Sequence, residues 1–320
     1  MPELPEVETV RRMMDRHARG RKVRSVVLSG ARLREAVPAT LPRRVSGRTI
    51  TAVRRHGKYL LVDLSGGMTL ISHLGMSGRW LYYERPPAAL PPHLHARIGF
   101  ADGSSLWFLD PRRFGVLRAV PTRRLKADRA LALLGPDPIA SPPSGSELLA
   151  LARGARVSVK NFLLDQRRIA GVGNIYASEI LHRAGVDPRR AAGRLIEDEW
   201  RAVAAETGRV LGEAIERMGT TLSTYRTLWN EPGTYAERLR VYDRAGEPCR
   251  ACGTPIRRIV QGRSTYYCPT CQPARPARGR RVRVSAARDA RRARATVASR
   301  GRLARRRRAR GSAGARANRG

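Results

Sequence analysis

The sequence predicts an α+β protein of two globular parts, and three observations carry that prediction. Residues 21–120 string short apolar runs between turn signals, the pattern of a β-sandwich. The second half reads as helices joined through glycine turns. All four cysteines fall between 249 and 271, as Cys249-x2-Cys252 and Cys268-x2-Cys271. Each pair fits a metal knuckle, and four thiolates close a tetrahedral structural zinc site with no open position for catalysis. Their clustering argues against a disulfide framework spread through a secreted fold.

Charge narrows the partners. The 320 residues carry a net charge of +37. The 49 residues after Cys271 hold 18 Arg and one acid, which leaves +20 on residues 1–271. A compact body with that excess expects a polyanion, and nucleic acid comes first, with affinity that falls steeply as salt rises. An anionic membrane is the lesser candidate, because no strongly basic amphipathic helix supports it. No apolar run approaches the ~18 residues of a membrane span. The acidic, amphipathic N-terminus lacks the apolar stretch of a signal peptide, so a cytoplasmic setting is expected.

The chain opens Met1-Pro2-Glu3-Leu4-Pro5-Glu6. A small residue at position 2 favours removal of Met1, leaving Pro2 as a secondary amine with a pKa near ~8, partly neutral and nucleophilic at neutral pH. Such an amine attacks an aldehyde-like sugar carbon to form an imine, and Glu3 stands beside it to move protons. A plain helix start explains residues 5–19 (Pro5 in the first turn, Val7, Val10 and Met14 on one face, Gly20 as the stop) but not Pro2-Glu3 in front of it.

Residues 58–64 and 68–74 flank Ser65-Gly66-Gly67 as two strands, and 97–100 and 105–109 flank Asp102-Gly103. Lys58 opens a strand, where charge alone makes a phosphate contact plausible. Gly75 and Gly78 let Met76 project from a tight loop. Pro111 breaks the strand pattern, so Arg112 and Phe114 sit on a bend. An apolar wedge with an arginine is what fills the gap left when a base is flipped from a duplex.

Pro- and Gly-rich residues 121–147 hold the boundary between the two parts. Beyond it, residues 159–166 and 174–184 form helix, glycine turn and helix around Gly171-Val172-Gly173-Asn174. Asn174 reads as the N-cap of the second helix, with free N–H groups beside it. A further helix spans 196–218. In the cysteine module, 256–259 and 264–267 pair as a hairpin with Gln261-Gly262-Arg263 as its tip. Residues 272–320 are Arg-, Ala-, Gly- and Ser-rich, a composition that reads as a disordered tail adding nonspecific DNA affinity.

MPELPEVETVRR, RRHGKYLL, HLGMSG, DPRRFG, GVGNIYASE and the paired CxxC motifs, in this order over residues 2–271, resemble the bacterial formamidopyrimidine-DNA glycosylase family. The resemblance implies an N-terminal two-sheet β-sandwich (2–134) with flanking helices and a linker (135–147). It implies a helix-two-turn-helix DNA-binding domain (148–234), a zinc hairpin (235–271) and an added tail (272–320). It implies a bifunctional base-excision glycosylase and lyase acting, as a monomer, on oxidised purines in double-stranded DNA, in the cytoplasm at the nucleoid. The implied catalytic residues are Pro2, Glu3, Lys58 and Arg263. Met76, Arg112 and Phe114 would enter the duplex, His93 and Asn174 would contact DNA, and Cys249, Cys252, Cys268 and Cys271 would hold one zinc. A DNA-contacting lysine of the family falls near position 155, where this chain has Ala155 between Arg153 and Arg156, and the loop at 218–229 departs from the family form. The alternatives are an endonuclease VIII-like glycosylase for oxidised pyrimidines and a noncatalytic zinc DNA-binding protein.

Overall fold

The computed structural model describes residues 1–274. Of the disordered tail expected over 272–320, residues 275–320 lie outside the described residues, while its first residue is corrected: Gln272 is fully buried and hydrogen-bonded to the folded part. The first helix, α1 (Leu4–Ala18), starts one residue earlier than Pro5 because Glu3 already serves as its cap position. Its Val7, Val10, Met14 and Ala18 fall on one stripe and are fully buried.

Eight strands follow: β1 (Val23–Leu28), β2 (Ile50–His56), β3 (Tyr59–Leu64), β4 (Met68–His73), β5 (Arg79–Tyr83), β6 (Leu94–Phe100), β7 (Ser105–Leu109) and β8 (Val116–Pro121). They form two antiparallel sheets of four, in the orders β1-β6-β7-β5 and β2-β3-β4-β8. Trp80, Phe108, Leu60, Val62, Leu70 and Ile98 fill the space between the sheets, and α1 closes it along β2. A short helix α2 (Leu41–Val45) packs on β1 and β8.

The register puts three loops at one end of the second sheet. Tyr59 pairs with His73, and His73 pairs with Val116. Lys58 before β3, Gly75-Met76 after β4 and Phe114-Gly115 before β8 therefore crowd the same edge, by the two-residue geometry of the strands rather than by sequence proximity.

The second core is helical: α3 (Gly145–Ala152), α4 (Val159–Leu164), α5 (Asn174–Arg183) and α6 (Glu197–Glu216) pack around Phe162, Tyr176, Ile180, Trp200 and Leu211. Ser144 and Ser158 accept the N–H groups of Glu147 and Asn161 at 3.2 Å and so cap α3 and α4. Leu4 of α1 belongs to this core, while Val7 and Val10 belong to the other. One helix thus anchors in both, which brings the chain's first residues to the seam.

Two local expectations are corrected. Asn174 is the first helical residue of α5, and Gly173 holds the cap position. The cap needs an extended backbone there, and a side chain at 173 would strike Glu3. In the cysteine module β9 (Arg257–Gln261) and β10 (Arg263–Tyr267) pair up to Gln261 opposite Arg263. The turn shrinks to Gly262, whose φ of +72° suits glycine, and Arg263 opens a strand instead of sitting in the tip. Among the described residues no helix is long and apolar enough to cross a membrane.

Candidate active site

The seam is built by the glycine turn before α5. Leu4 N–H donates to the Gly171 carbonyl at 3.1 Å. The Glu3 carboxylate accepts Ile175 N–H at 3.0 Å and Tyr176 N–H at 3.4 Å, at the positive end of α5. A Cβ on Gly173 would lie 2.6 Å from Glu3 Oε2, and one on Gly171 2.8 Å from Leu4 Cβ. Both glycines are therefore demanded by close approach. Pro2 and Glu3 are buried against this turn, with Met1 exposed ahead of them.

Lys58 enters from the crowded sheet edge. Its Nζ donates to the Val172 carbonyl at 3.2 Å, and burial lowers its pKa. Glu3 opposes that shift and Arg263 adds to it, so the three charges share one field. Lys160 of α4 is fully buried and donates to the Ser264 carbonyl and to Thr265 Oγ1, both at 2.8 Å. Burial first, and Arg263 second, push it down to about 8. Asn174 Nδ2 donates to the same Ser264 carbonyl at 3.0 Å. Its Oδ1 is buried with no partner among the described residues. The helix–turn–helix and the cysteine hairpin thus meet at one carbonyl, beside the exposed Arg263.

Glu6 was not singled out in the sequence, although Glu3-x-x-Glu6 was visible. It is 1% exposed, and burial with the neighbouring Glu3 raises its pKa to about 7. Glu3 N–H, Thr220 N–H and Tyr176 O–H all donate to it, at 2.7, 2.7 and 2.5 Å. It thereby fastens the chain start to the segment after α6. That segment runs back along α1: Tyr225 and Leu228 join the sandwich core, and Trp229 packs edge-on against His17 and Tyr82.

Met76, Arg112 and Phe114 come together on one rim. Met76 is 37% and Phe114 41% exposed, and the Arg112 guanidinium lies 5.1 Å from the Phe114 ring centre. Asp110 organises this rim from beneath. It accepts Ser77 Oγ–H at 2.6 Å and Gly115 N–H at 2.7 Å, and Arg112 N–H in turn donates to Ser77 Oγ at 3.1 Å. His93 sits beside the rim in the left-handed region at φ 63°, its carbonyl accepting Asp110 N–H. Exposed apolar side chains held on a rigid, basic rim suit insertion into a base stack.

The four cysteine sulfurs converge. All lie within 4.8 Å of one another, with Cys249–Cys271, Cys271–Cys252 and Cys252–Cys268 at 3.8, 3.5 and 3.4 Å. A tetrahedron with Zn–S bonds of about 2.3 Å has edges of about 3.8 Å, so this donor set fits one structural zinc. Gln272, just past the last ligand, is fully buried, donates to the Val186 carbonyl and accepts Cys268 N–H, which ties the module to the helical core.

A buried chain start walled by lysines at the seam of two cores, with a four-cysteine hairpin beside it, is the arrangement of a DNA glycosylase of the helix-two-turn-helix class. Three family models match in order. They are the formamidopyrimidine-DNA glycosylase N-terminal domain at 1–117, its H2TH domain at 134–226, and a zinc finger found in FPG and IleRS at 246–274. The chain is 47% identical over 275 residues to the formamidopyrimidine-DNA glycosylase of Methylococcus capsulatus and 48% over 278 to that of Alkalilimnicola ehrlichii. Each match covers 85% of this chain and 100% of the relative. The MutM (FPG) structure from Thermus thermophilus superposes with a TM-score of 0.76 at 40% identity, covering 86% of this chain and 100% of that one. A Lactococcus lactis FPG variant in complex with Fapy-dG containing DNA gives 0.77 at 31% identity, covering 85% of this chain and 100% of that one. The chain belongs to the formamidopyrimidine-DNA glycosylase family, and it is a zinc-containing DNA glycosylase of base-excision repair.

Proposed function

We propose that this enzyme excises oxidised purines, 8-oxoguanine and formamidopyrimidines, from duplex DNA and then cuts the strand as a lyase. The observation that carries the reading is the clamp on the chain start: Glu3 is held by two N–H groups of α5, directly beside Pro2 and within the field of Lys58. Removal of Met1 leaves the Pro2 nitrogen as a secondary amine. Its lone pair attacks the sugar C1′ and the bond from C1′ to the base breaks, the base leaving with a proton. The amine then gives up its own proton, the C1′–O4′ bond opens with O4′ taking a proton, and an iminium links enzyme and sugar. Glu3 moves protons at the sugar. The imine acidifies the neighbouring carbon, so loss of a proton there expels the 3′ phosphate and a second elimination expels the 5′ phosphate. Lys58 and Arg263 stabilise those phosphates as they leave, a reading supported by the charge field the two share with Glu3.

Met76, Arg112 and Phe114 fill the gap left by the flipped nucleotide. Asn174 and His93 hold backbone phosphates, and exposed Arg153 and Arg156 stand in for the lysine absent at Ala155. We divide the chain as 2–134, 135–147, 148–234 and 235–271, a reading supported by its two separate cores. We take the enzyme to act as a monomer in the cytoplasm, at the nucleoid, on damaged duplex DNA, the last of these supported by its charge.

Borohydride trapping on a duplex carrying 8-oxoguanine opposite cytosine, followed by peptide mapping, tests this. A covalent adduct on Pro2 is the expected result. An adduct formed only on an oxidised-pyrimidine duplex would transfer the protein to the endonuclease VIII-like branch. No adduct on either duplex would refute the imine mechanism.

A further inference from the structure

Helix α5 reaches the cysteine module through a side chain that the reading above does not use. His182 lies in its last turn, 4% exposed, with Nε2 3.5 Å from Cys249 Sγ. Cys249 is a buried cysteine of the four, set in a small core with Val241, Ile256 and Tyr266. The backbone N–H of Ala251, at 3.5 Å, also points at its sulfur.

A zinc-bound cysteine is a thiolate, which has no proton to give and only accepts. The ring nitrogen facing it must therefore carry the hydrogen, and this fixes the tautomer of His182. Its Nδ1 is then a bare lone pair, and it is buried with no partner among the described residues. A phenylalanine would fill the same space and leave nothing unpaired. Most of the buried face of α5 is apolar, from Ile175, Tyr176, Ala177, Ile180 and Leu181, and its buried Glu179 is fully hydrogen-bonded. An imidazole here is explained by the contact of its other nitrogen.

We propose that His182 is a positioning residue of the zinc centre: its Nε2–H donates to the Cys249 thiolate and ties zinc retention to the helix that bears Asn174. The same helix already grips the approach to the module. Glu179 accepts the backbone N–H groups of Arg240, Val241 and Tyr242 at 2.8, 2.9 and 2.9 Å. Glu179 thus fixes the chain that enters the knuckle, and His182 fixes the ligand itself. Four thiolates around one divalent ion leave a net negative site, and a donated N–H disperses part of that charge. Such outer hydrogen bonds typically carry about 10–100-fold in metal affinity.

The zinc-loaded full chain is challenged with a chromogenic chelator. His182→Phe keeps a ring and removes the donor, and it should release zinc about tenfold faster or more. His182→Gln restores an N–H at similar reach and should release zinc near the unmutated rate. In cobalt-loaded protein the thiolate-to-metal charge-transfer band should move in His182→Phe and return in His182→Gln. Unchanged release and an unmoved band in His182→Phe overturn the proposal. So does a His182→Gln variant that leaks zinc as fast as His182→Phe, which would reduce the role to ring packing. Should the phenylalanine variant not fold, the unmutated chain loaded with NMR-active cadmium decides. A coupling between the metal and the Nε2 proton of His182 is expected, and a ring protonated at Nδ1 overturns the inference.

Discussion

At the scale of the residue, the site depends on what is absent at position 173. Gly173 holds the cap position of α5 in extended backbone at φ −128°, a conformation any residue adopts, so its requirement is steric. A methyl group there would press on the Glu3 carboxylate, whose two oxygens are already committed to Ile175 and Tyr176 N–H. Glu3 has no room to retreat, because Glu6 holds its backbone N–H. A Cβ there would lie 2.3 Å from Glu3 Cδ, so Gly173→Ala is expected to displace Glu3 by about 1 Å, and Pro2 with it. Misplacement of about 1 Å at a reacting group costs on the order of 100-fold in rate. Single-turnover excision of 8-oxoguanine should fall by about that factor, while the zinc content stays at one per chain. A variant that excises at the unmutated rate would show that the glycine is not needed to seat Glu3.

At the scale of the element, the turn that presents Lys58 is fixed by a residue about 80 positions further along the chain. Asp137 is 2% exposed; it pairs with the equally buried Arg55 and accepts Gly57 N–H at 2.9 Å and the N–H groups of Ile139 and Ala140 at 3.1 Å. Arg55 also bonds Glu8 of α1 at 3.0 Å, so one network spans the first helix, the sandwich and the linker. Removing one partner of a buried pair leaves the other charged and unpaired, which typically costs about 3–5 kcal/mol. Glu8 remains for Arg55, so Asp137→Ala should lie at the lower end, about 3 kcal/mol in urea unfolding, and a loss below about 1 kcal/mol would refute the clamp. None of this was legible in the sequence, where Gly-Pro-Asp-Pro read only as a linker. Strands, helices and the cysteine pairs were legible, because periodicity and spacing are local signals. Met76, Arg112, Phe114 and Lys58 could be named, but their shared edge is a matter of register between strands far apart in the chain. Glu6, Lys160 and His182 stayed hidden for a related reason. Each draws its meaning from a partner over 60 residues away, such as Thr220, Ser264 or Cys249. Asn174 was misread by one position because a glycine took the cap that asparagine usually fills.

At the scale of the whole molecule, charge is divided between residues 1–274 and the Arg-rich run after them. The residues from 275 onward carry a net +17, and residues 1–274 carry +20. The positive groups of the site are few and geometrically placed: Lys58 and Lys160 are buried, and Arg112 and Arg263 stand at the rim and on the hairpin. In the proposed reading, Lys58, Arg112 and Arg263 act on one damaged nucleotide and its phosphates. For the excess at the C-terminal end the expectation is nonspecific affinity, an effect of counterion release. Each phosphate neutralised on duplex DNA contributes about −0.9 to the slope of log K against log salt. If the run engages even a quarter of its arginines, its removal should make that slope shallower by about 4 on an undamaged duplex. Excision from a short 8-oxoguanine duplex at low salt should remain within about twofold, because the clamp at Glu3 and the wedge rim lie wholly within residues 1–274. Titration of the full chain and of a chain ending at 274 across a series of salt concentrations measures the difference. Equal slopes would mean that the C-terminal charge does not touch the phosphates, and that nonspecific affinity resides in residues 1–274 alone.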